Sequence, residues 1–353
     1  MERAITTTES PLDAGRLSDI LGRRVSAVSV EASNPTVLSQ VYRLRLAYDS
    51  DACGAPPTLF LKTRHLERKA GAGAGGQPGG HHEVDFYRRL APAAPPDILV
   101  RCLDSHWDEA SDDWHLLLED LKDTHAMASQ WPFPPTLADG ETIIRTLARF
   151  HAAWWDDPRL GTSVGTWANP ADIPQFQQRM TEAVAKLADA LGDRLAPERR
   201  AFYERLIDRL EPLSMRYHTH RNMTVVHGDA HVWNCFLPMA GTAGTPKLFD
   251  WDGWRLDTAT DDLAYQMALH WYPDLRRQRE RHMLDVYHAE LQARGVTGYD
   301  RQALQDDYRL SVLWTTMTPV WQHAGGIPAW IWWSHLARIH LAADDLGCRE
   351  LLD

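Results

Sequence analysis

Apolar and polar positions alternate early in the chain and turn helical later. "VSAVSVEASNPTVLSQVYRLRLAYDS" sets Val41, Leu44 and Leu46 among polar neighbours, which predicts two strands around a turn at Asn34-Pro35. "PTLFLKTR" predicts a third strand over residues 57–64, with Lys62 near its end. A helix starts in "HHEVDFYRRLAP", where Val84, Tyr87 and Leu90 share one side and Glu83 sits in the first turn. "ILVRCLDSHWD" and "DDWHLLLEDL" predict a further strand pair. Residues 1–24 read as a short helix after a polar start, and "KAGAGAGGQPGG", 69–80, as a flexible loop.

After Asp120 the period lengthens. Ile143, Ile144, Leu147 and Phe150 recur at helical spacing, and four later segments, beginning near residues 172, 198, 276 and 300, read as helices too. One hairpin interrupts them: "VVHGDAHVWNCFLP", a Gly/Thr/Pro turn, then "KLFDWD" with Asp250 on the return strand. The expected class is α+β in two parts, a β-rich residues 1–121 and a helical residues 122–353.

Composition narrows the function. The 353 residues exceed one ordinary core. Lys plus Arg total 37 against 48 Asp plus Glu, a net −11, which argues against a nucleic-acid partner. The acidic balance suits a cationic substrate, or simply solubility. Cys53, Cys102, Cys235 and Cys348 are scattered without a CxxC pair, so reduced thiols are expected. The 17 histidines form no HExxH, so zinc is not expected. The sequence holds no apolar leader and no apolar run of about 18 residues, which predicts a cytoplasmic chain without a membrane span.

The stretch "VVHGDAHVWNCFLP" puts His227, Gly228, Asp229 and Asn234 between apolar runs, where packing gains little from them. Asn234 follows Asp229 by five residues, and a hairpin can bring Asp250 back toward both. An amide oxygen and a carboxylate are hard ligands that suit Mg²⁺, which takes its other oxygens from water and phosphate. Asp229 is then placed to accept a hydrogen bond from a substrate hydroxyl and take its proton. Taken singly, each reads first as a cap or turn residue.

"HGDAHVWN" resembles the HGDxxxxN catalytic loop of the aminoglycoside phosphotransferase and choline kinase superfamily, relatives of protein kinases. "LFDWDGW" resembles its metal-binding Asp segment, and "DDLAY", 261–265, the segment that follows. "LFLKT", "EVDFYRRL" and "LLLEDL" look like the lysine strand, the glutamate helix and the adenine hinge, in the family's order over roughly residues 28–270. The resemblance implies a two-lobed protein-kinase-like fold, with a small antiparallel-sheet N-lobe and a large helical C-lobe. It also implies ATP and Mg²⁺ as cofactors.

The roles it implies fall residue by residue. Asp229 is the catalytic base. Asn234 and Asp250 hold metal, and Asp252 helps a second metal or is a solvated hairpin residue. Lys62 meets the phosphates and Glu83 orients it. Leu118 neighbours adenine, while the carbonyl of Glu119 and the N–H of Leu121 meet its edge. Asp262 braces the catalytic loop from a helix start, and His227 orients that loop. The phosphate loop "EASNPTVLSQVYRL" departs from the family by having no glycine, which leaves Ser33, Asn34 and Ser39 as donors. The glycines of 69–80 lack a GK[ST] ending and do not make a P-loop.

The implied activity is phosphoryl transfer from ATP to a hydroxyl of a small molecule. Of the 15 tryptophans, those of the C-terminal helices are expected mostly in the core, with a minority lining a pocket. With Asp306, Asp307, Asp344 and Asp345 they suit an aminoglycoside, amino sugar or choline-like alcohol. The same rings suit a macrolide- or steroid-like alcohol. A pseudokinase that binds nucleotide without catalysis is the other alternative, although Asp229 and the metal ligands are all present. A protein kinase would need an activation segment, for which the short run from "DWDG" to "DDLAY" leaves little room.

Overall fold

The computed structural model describes residues 11–36, 39–49, 54–64 and 81–353. The loop expected over 69–80 lies outside the described residues. The chain divides into two compact units, Met1–Ala126 with Pro238–Asp252, and Met127–Leu237 with Gly253–Asp353. A cut at residues 121 and 122 leaves 238–252 with the helices. The contacts group it with the sheet, because Leu248 bridges Leu99 and its carbonyl accepts from the Val100 N–H at 3.2 Å.

The first unit opens with helix α1, Ala14–Leu21, capped by Asp13, whose carboxylate accepts from the Arg16 N–H at 2.7 Å. Strands β1 (Val25–Pro35), β2 (Ser39–Tyr48) and β3 (Thr58–Arg64) follow. After the short helix α2 (His81–Asp85) come β4 (Cys102–Asp108) and β5 (Asp113–Glu119). The strands form one antiparallel sheet ordered β1-β2-β3-β5-β4. The period of two puts Tyr42, Leu44 and Leu46 of β2 on the buried side, with Leu59 and Leu61 of β3 and Leu17 of α1.

Two expectations shift here. Asn34 and Pro35 do not form the turn; they stay in register opposite Val41 and Gln40. Proline tolerates this place because β1 is an edge strand and Pro35 its last residue, where no ladder N–H is required. The helix after residue 80 is α-helical only through Asp85 and widens into a π-turn over Phe86–Leu90.

The second unit is helical: α3 (Leu137–Trp154), α4 (Ile173–Leu191), α5 (Pro197–Asp208), α6 (Leu210–Ser214), α7 (Thr260–Leu263), α8 (Pro273–Ala293), α9 (Arg301–Thr315), α10 (Thr318–Ala324) and α11 (Ala329–Asp345). Its core joins Ile144 and Ala148 of α3 to Met283 and Tyr287 of α8, Leu304 and Tyr308 of α9, and Leu336 and Ile339 of α11. A short antiparallel pair, Thr224–Val226 with Arg255–Asp257, sits among the helices. Among the C-terminal tryptophans Trp332 is buried, whereas Trp330 and Trp333 are exposed. No described helix is long and apolar enough to cross a membrane.

Candidate functional site

In the first unit the central strand β3 carries Lys62 between Val41 of β2 and Leu116 of β5. Its Nζ lies 2.6 Å from Glu83 Oε2 and also contacts the Asp250 carboxylate. Lys62 and Glu83 are both buried. Burial alone would lower the pKa of the Lys62 ammonium; Asp250, then Glu83 and Asp252, outweigh it and raise the pKa. The ammonium is therefore charged at neutral pH. Glu83 also accepts from the Trp251 N–H at 3.2 Å, and Trp251 stacks on Phe86 with centroids 4.0 Å apart.

These contacts explain a correction. Asp250 was expected on a return strand, but the strand is only Lys247–Leu248. Asp250 has φ 68°, in the left-handed region. With Trp251 buried and its N–H on Glu83, the backbone leaves the strand and Asp250 turns to Lys62. Asp252 follows, half-buried, and its charge acts on the same ammonium.

The other expected nucleotide-side residues also lie in this unit. Leu118 is buried, and Glu119 ends β5 with its side chain accepting from the Arg101 N–H at 2.8 Å. The Leu121 carbonyl accepts from the N–H groups of Thr124 and His125, which closes a turn after the strand. The Ser39 hydroxyl is buried, 2.9 Å from that of Thr36, and the Ser33 hydroxyl accepts from Gln40 at 2.9 Å. Val37 and Leu38 of the glycine-free stretch lie outside the described residues.

In the second unit the paired strands end beside the HGD stretch, with Val226 opposite Arg255. Gly228 has φ 79°, and a Cβ there would stand 2.0 Å from the Gly253 carbonyl oxygen, so only glycine fits. Asp262 holds the stretch. Its two oxygens accept from the His227 N–H at 2.7 Å and the Gly228 N–H at 2.9 Å. His151 lies 3.0 Å from the same carboxylate through Nε2 and 2.8 Å from the Tyr287 hydroxyl through Nδ1. Burial alone would raise the Asp262 carboxyl, but its bond to His151 and the His227 backbone N–H hold it below the ordinary range. Sequence reading missed His151 and Tyr287, which no local motif marks.

Asn234 faces Asp229. Its amide nitrogen donates to the Asp229 carbonyl at 2.9 Å and carboxylate at 3.1 Å. With Nδ2 so occupied, the amide presents Oδ1 as its donor atom for a hard cation. Among the described residues no group of three His, Cys, Asp or Glu side chains is arranged to hold a metal by itself. An amide oxygen is a hard donor of the kind Mg²⁺ accepts, and that ion takes further oxygens from water and phosphate. The His227 ring accepts from the Asp229 N–H at 3.3 Å, an orienting bond within the loop.

Beyond Asp229 lies a group of rings. His231 Nε2 is 3.5 Å from Asp229 Oδ2, and Trp233, His270 and His335 follow at centroid distances of 4.7–5.7 Å. Trp131 joins Trp233 at 6.2 Å and Trp330 at 5.0 Å. Burial, then Arg338 and His231, push His335 down to about 4. The acidic residues of the C-terminal helices are engaged elsewhere. Asp307 binds Arg216 at 2.7 Å, Asp344 binds Arg349 at 2.6 Å, Asp345 binds Arg277 at 2.6 Å, and Asp306 accepts from Gln302 at 2.9 Å.

Residues 36–295 match the model of the ecdysteroid kinase-like family. No curated protein sequence matches the chain. A Ralstonia eutropha JMP134 protein, itself only provisionally assigned as an aminoglycoside phosphotransferase, superposes with a TM-score of 0.59. Its identity is 14%, over 96% of this chain and 98% of its own. Choline kinase LicA from Streptococcus pneumoniae gives 0.51 at 12% identity, over 94% and 96%. The GDP complex of aminoglycoside 2′-phosphotransferase-IIIa gives 0.51 at 14%, over 92% and 93%. At such identities the likeness is one of fold: an antiparallel-sheet part followed by a helical part, the kinase-like α+β class expected from sequence.

Proposed function

This chain belongs to the ecdysteroid kinase-like family, and on that footing we propose that it transfers the γ-phosphate of ATP to a hydroxyl of a small molecule. The observation that carries the reading is the Asp229–Asn234 pair on a loop locked by Asp262. Phosphoryl transfer asks a protein mainly for positioning and charge neutralisation. Asp229 receives the acceptor O–H. As the acceptor oxygen bonds to phosphorus, the bond to the ADP oxygen breaks and the hydroxyl proton passes to Asp229. Asn234 keeps the carboxylate aimed by donating to one of its oxygens.

Lys62 has three N–H donors, two of them directed at Glu83 and Asp250, which leaves the third for a phosphate oxygen. Asn234 and Asp250 are the proposed magnesium ligands, with Asp252 in a supporting place. Bound there, the ion would neutralise charge on the phosphates. Leu118, Glu119 and Leu121 are the proposed adenine edge. Ser39 is the proposed donor of the phosphate loop; its backbone N–H and its hydroxyl both meet the Thr36 hydroxyl at 2.9 Å, contacts that a phosphate oxygen would replace. The nucleotide role draws support from the GDP held by one structural neighbour.

Titration calorimetry with ATP, with and without magnesium, tests this reading, and melting temperature reads the same binding. Saturating Mg-ATP, at roughly 100 times its Kd, stabilises a binder by about 2.7 kcal/mol. We expect that gain to disappear with EDTA. Equal stabilisation with and without metal, or none in either case, contradicts the reading.

A further inference from the structure

We infer that His270 is a positioning residue for the transfer, holding in place His231 and Tyr265, two side chains that reach the Asp229 carboxylate. The inference rests on the reading of Asp229 as the group that receives the acceptor hydroxyl. His231 Nε2 lies 3.5 Å from Asp229 Oδ2, the oxygen that Asn234 also meets. Tyr265 bonds the same carboxylate through its hydroxyl. The His270 ring stands against both, with centroids 5.5 Å from His231 at 69° and 4.9 Å from Tyr265 at 52°. It also meets Trp233 of the catalytic loop at 5.7 Å and 70°.

A widened helical turn puts it there. Ala264–Leu269 form a π-turn directly before His270. In a regular α-helix, residues five apart point about 140° away from one another. A π-turn, bonded from i to i+5, brings them onto one side. Tyr265 and His270 are such a pair, and the His270 Nδ1–H donates to the Tyr265 carbonyl at 2.8 Å. That bond fixes the tautomer, since a carbonyl oxygen only accepts. Arg338 donates to the His270 carbonyl at 2.9 Å, and His335 backs the ring at 4.7 Å.

Packing alone does not account for a histidine at this place. The residue is 6% exposed. Burial, then His335 and His231, push its pKa well below the ordinary value, so the ring is neutral. Burying an imidazole costs free energy that an aliphatic side chain does not. What the imidazole adds is a flat ring for its aromatic neighbours and an N–H tied to the turn that carries Tyr265. Asp262 grips the first half of the HGD loop at His227 and Gly228. His270 steadies the second half at His231 and Trp233.

Two variants test this. His270→Leu fills the place without a ring, and His270→Phe restores a ring without the Nδ1–H. Phosphate release from labelled Mg-ATP, with water as the acceptor, reads turnover. Hydrogen exchange over residues 229–235 reads the loop without any turnover, and melting temperature checks the fold. His270→Leu should lower kcat at least ~10-fold, within the ~100-fold that a misplacement of about 1 Å can cost, and change KM for Mg-ATP much less. It should also speed exchange over 229–235, and His270→Phe should recover part of both losses. Parental kcat or exchange in folded His270→Leu, a KM change as large as the kcat change, or no recovery in His270→Phe overturns the inference. If His270→Leu does not fold, His270→Phe decides: exchange near the parental rate supports the role of the ring, and exchange at least ~10-fold faster overturns it. Failure of the kinase reading shows differently: exchange shifted as expected, yet no phosphate passed by the parent from Mg-ATP to water or to any alcohol.

Discussion

The carboxylate of Asp262 accepts the backbone N–H of His227 at 2.7 Å, although 35 residues separate them, and its other oxygen accepts that of Gly228. A helical residue thus holds in place the loop that carries Asp229.

Replacing Asp262 with Asn puts an amide where two donors and His151 converge. One N–H is then left unsatisfied in a buried place, at a cost of about 1–3 kcal/mol. We expect Asp262→Asn to lower the melting temperature by on the order of 5 °C and to reduce turnover. A variant with parental melting and turnover would show that the loop is held by something else.

Glu83→Gln keeps an oxygen for the Trp251 N–H but removes the charge that faces Lys62. Charge-assisted bonds of this kind are about twice as strong as neutral ones. The expected result is a rise of roughly 10-fold in KM for Mg-ATP, a loss of about 1.4 kcal/mol, with the fold kept. Steady-state kinetics against ATP reads it, and an unchanged KM counts against the proposed role of the pair.

Acid should weaken the helical unit through His335. His335 has a pKa of about 4 in the fold, against 6.5 for an ordinary histidine. Between these values the unfolded chain takes up a proton that the folded chain refuses, so stability falls as pH drops. Above about pH 6.5 the contribution is complete; by about pH 4 a loss on the order of 3 kcal/mol has accumulated. Urea midpoints measured across that window should decline, and His335→Gln should flatten the decline. Equal slopes in parent and variant would assign the effect to other groups.

The sheet and the long helices were legible because their signal is local. Leu44 and Leu46 alternate on β2, and Ile143, Ile144 and Leu147 repeat on α3, whichever partner they meet. The shape of the site was less so, since distant contacts decide it. "KLFDWD" alternates like a strand, yet the chain breaks off after Leu248 so that Trp251 can stack on Phe86 and Asp250 can reach Lys62. Asp262 looks like a helix-start residue and is one, but its oxygens go to the HGD loop rather than to its own helix. His151 lies 111 residues from Asp262, so only folding reveals the bond. Asn34-Pro35 carries strong turn chemistry, and the ladder to β2 still extends through it.

The central claim is that Asp229 receives the proton of an acceptor hydroxyl during transfer from Mg-ATP. Single-turnover transfer of labelled γ-phosphate, compared between the parent and Asp229→Asn at matched nucleotide occupancy, tests it most directly. The account predicts nearly unchanged Mg-ATP affinity and a transfer rate lower by at least ~100-fold. Transfer by the variant at the parental rate would contradict it.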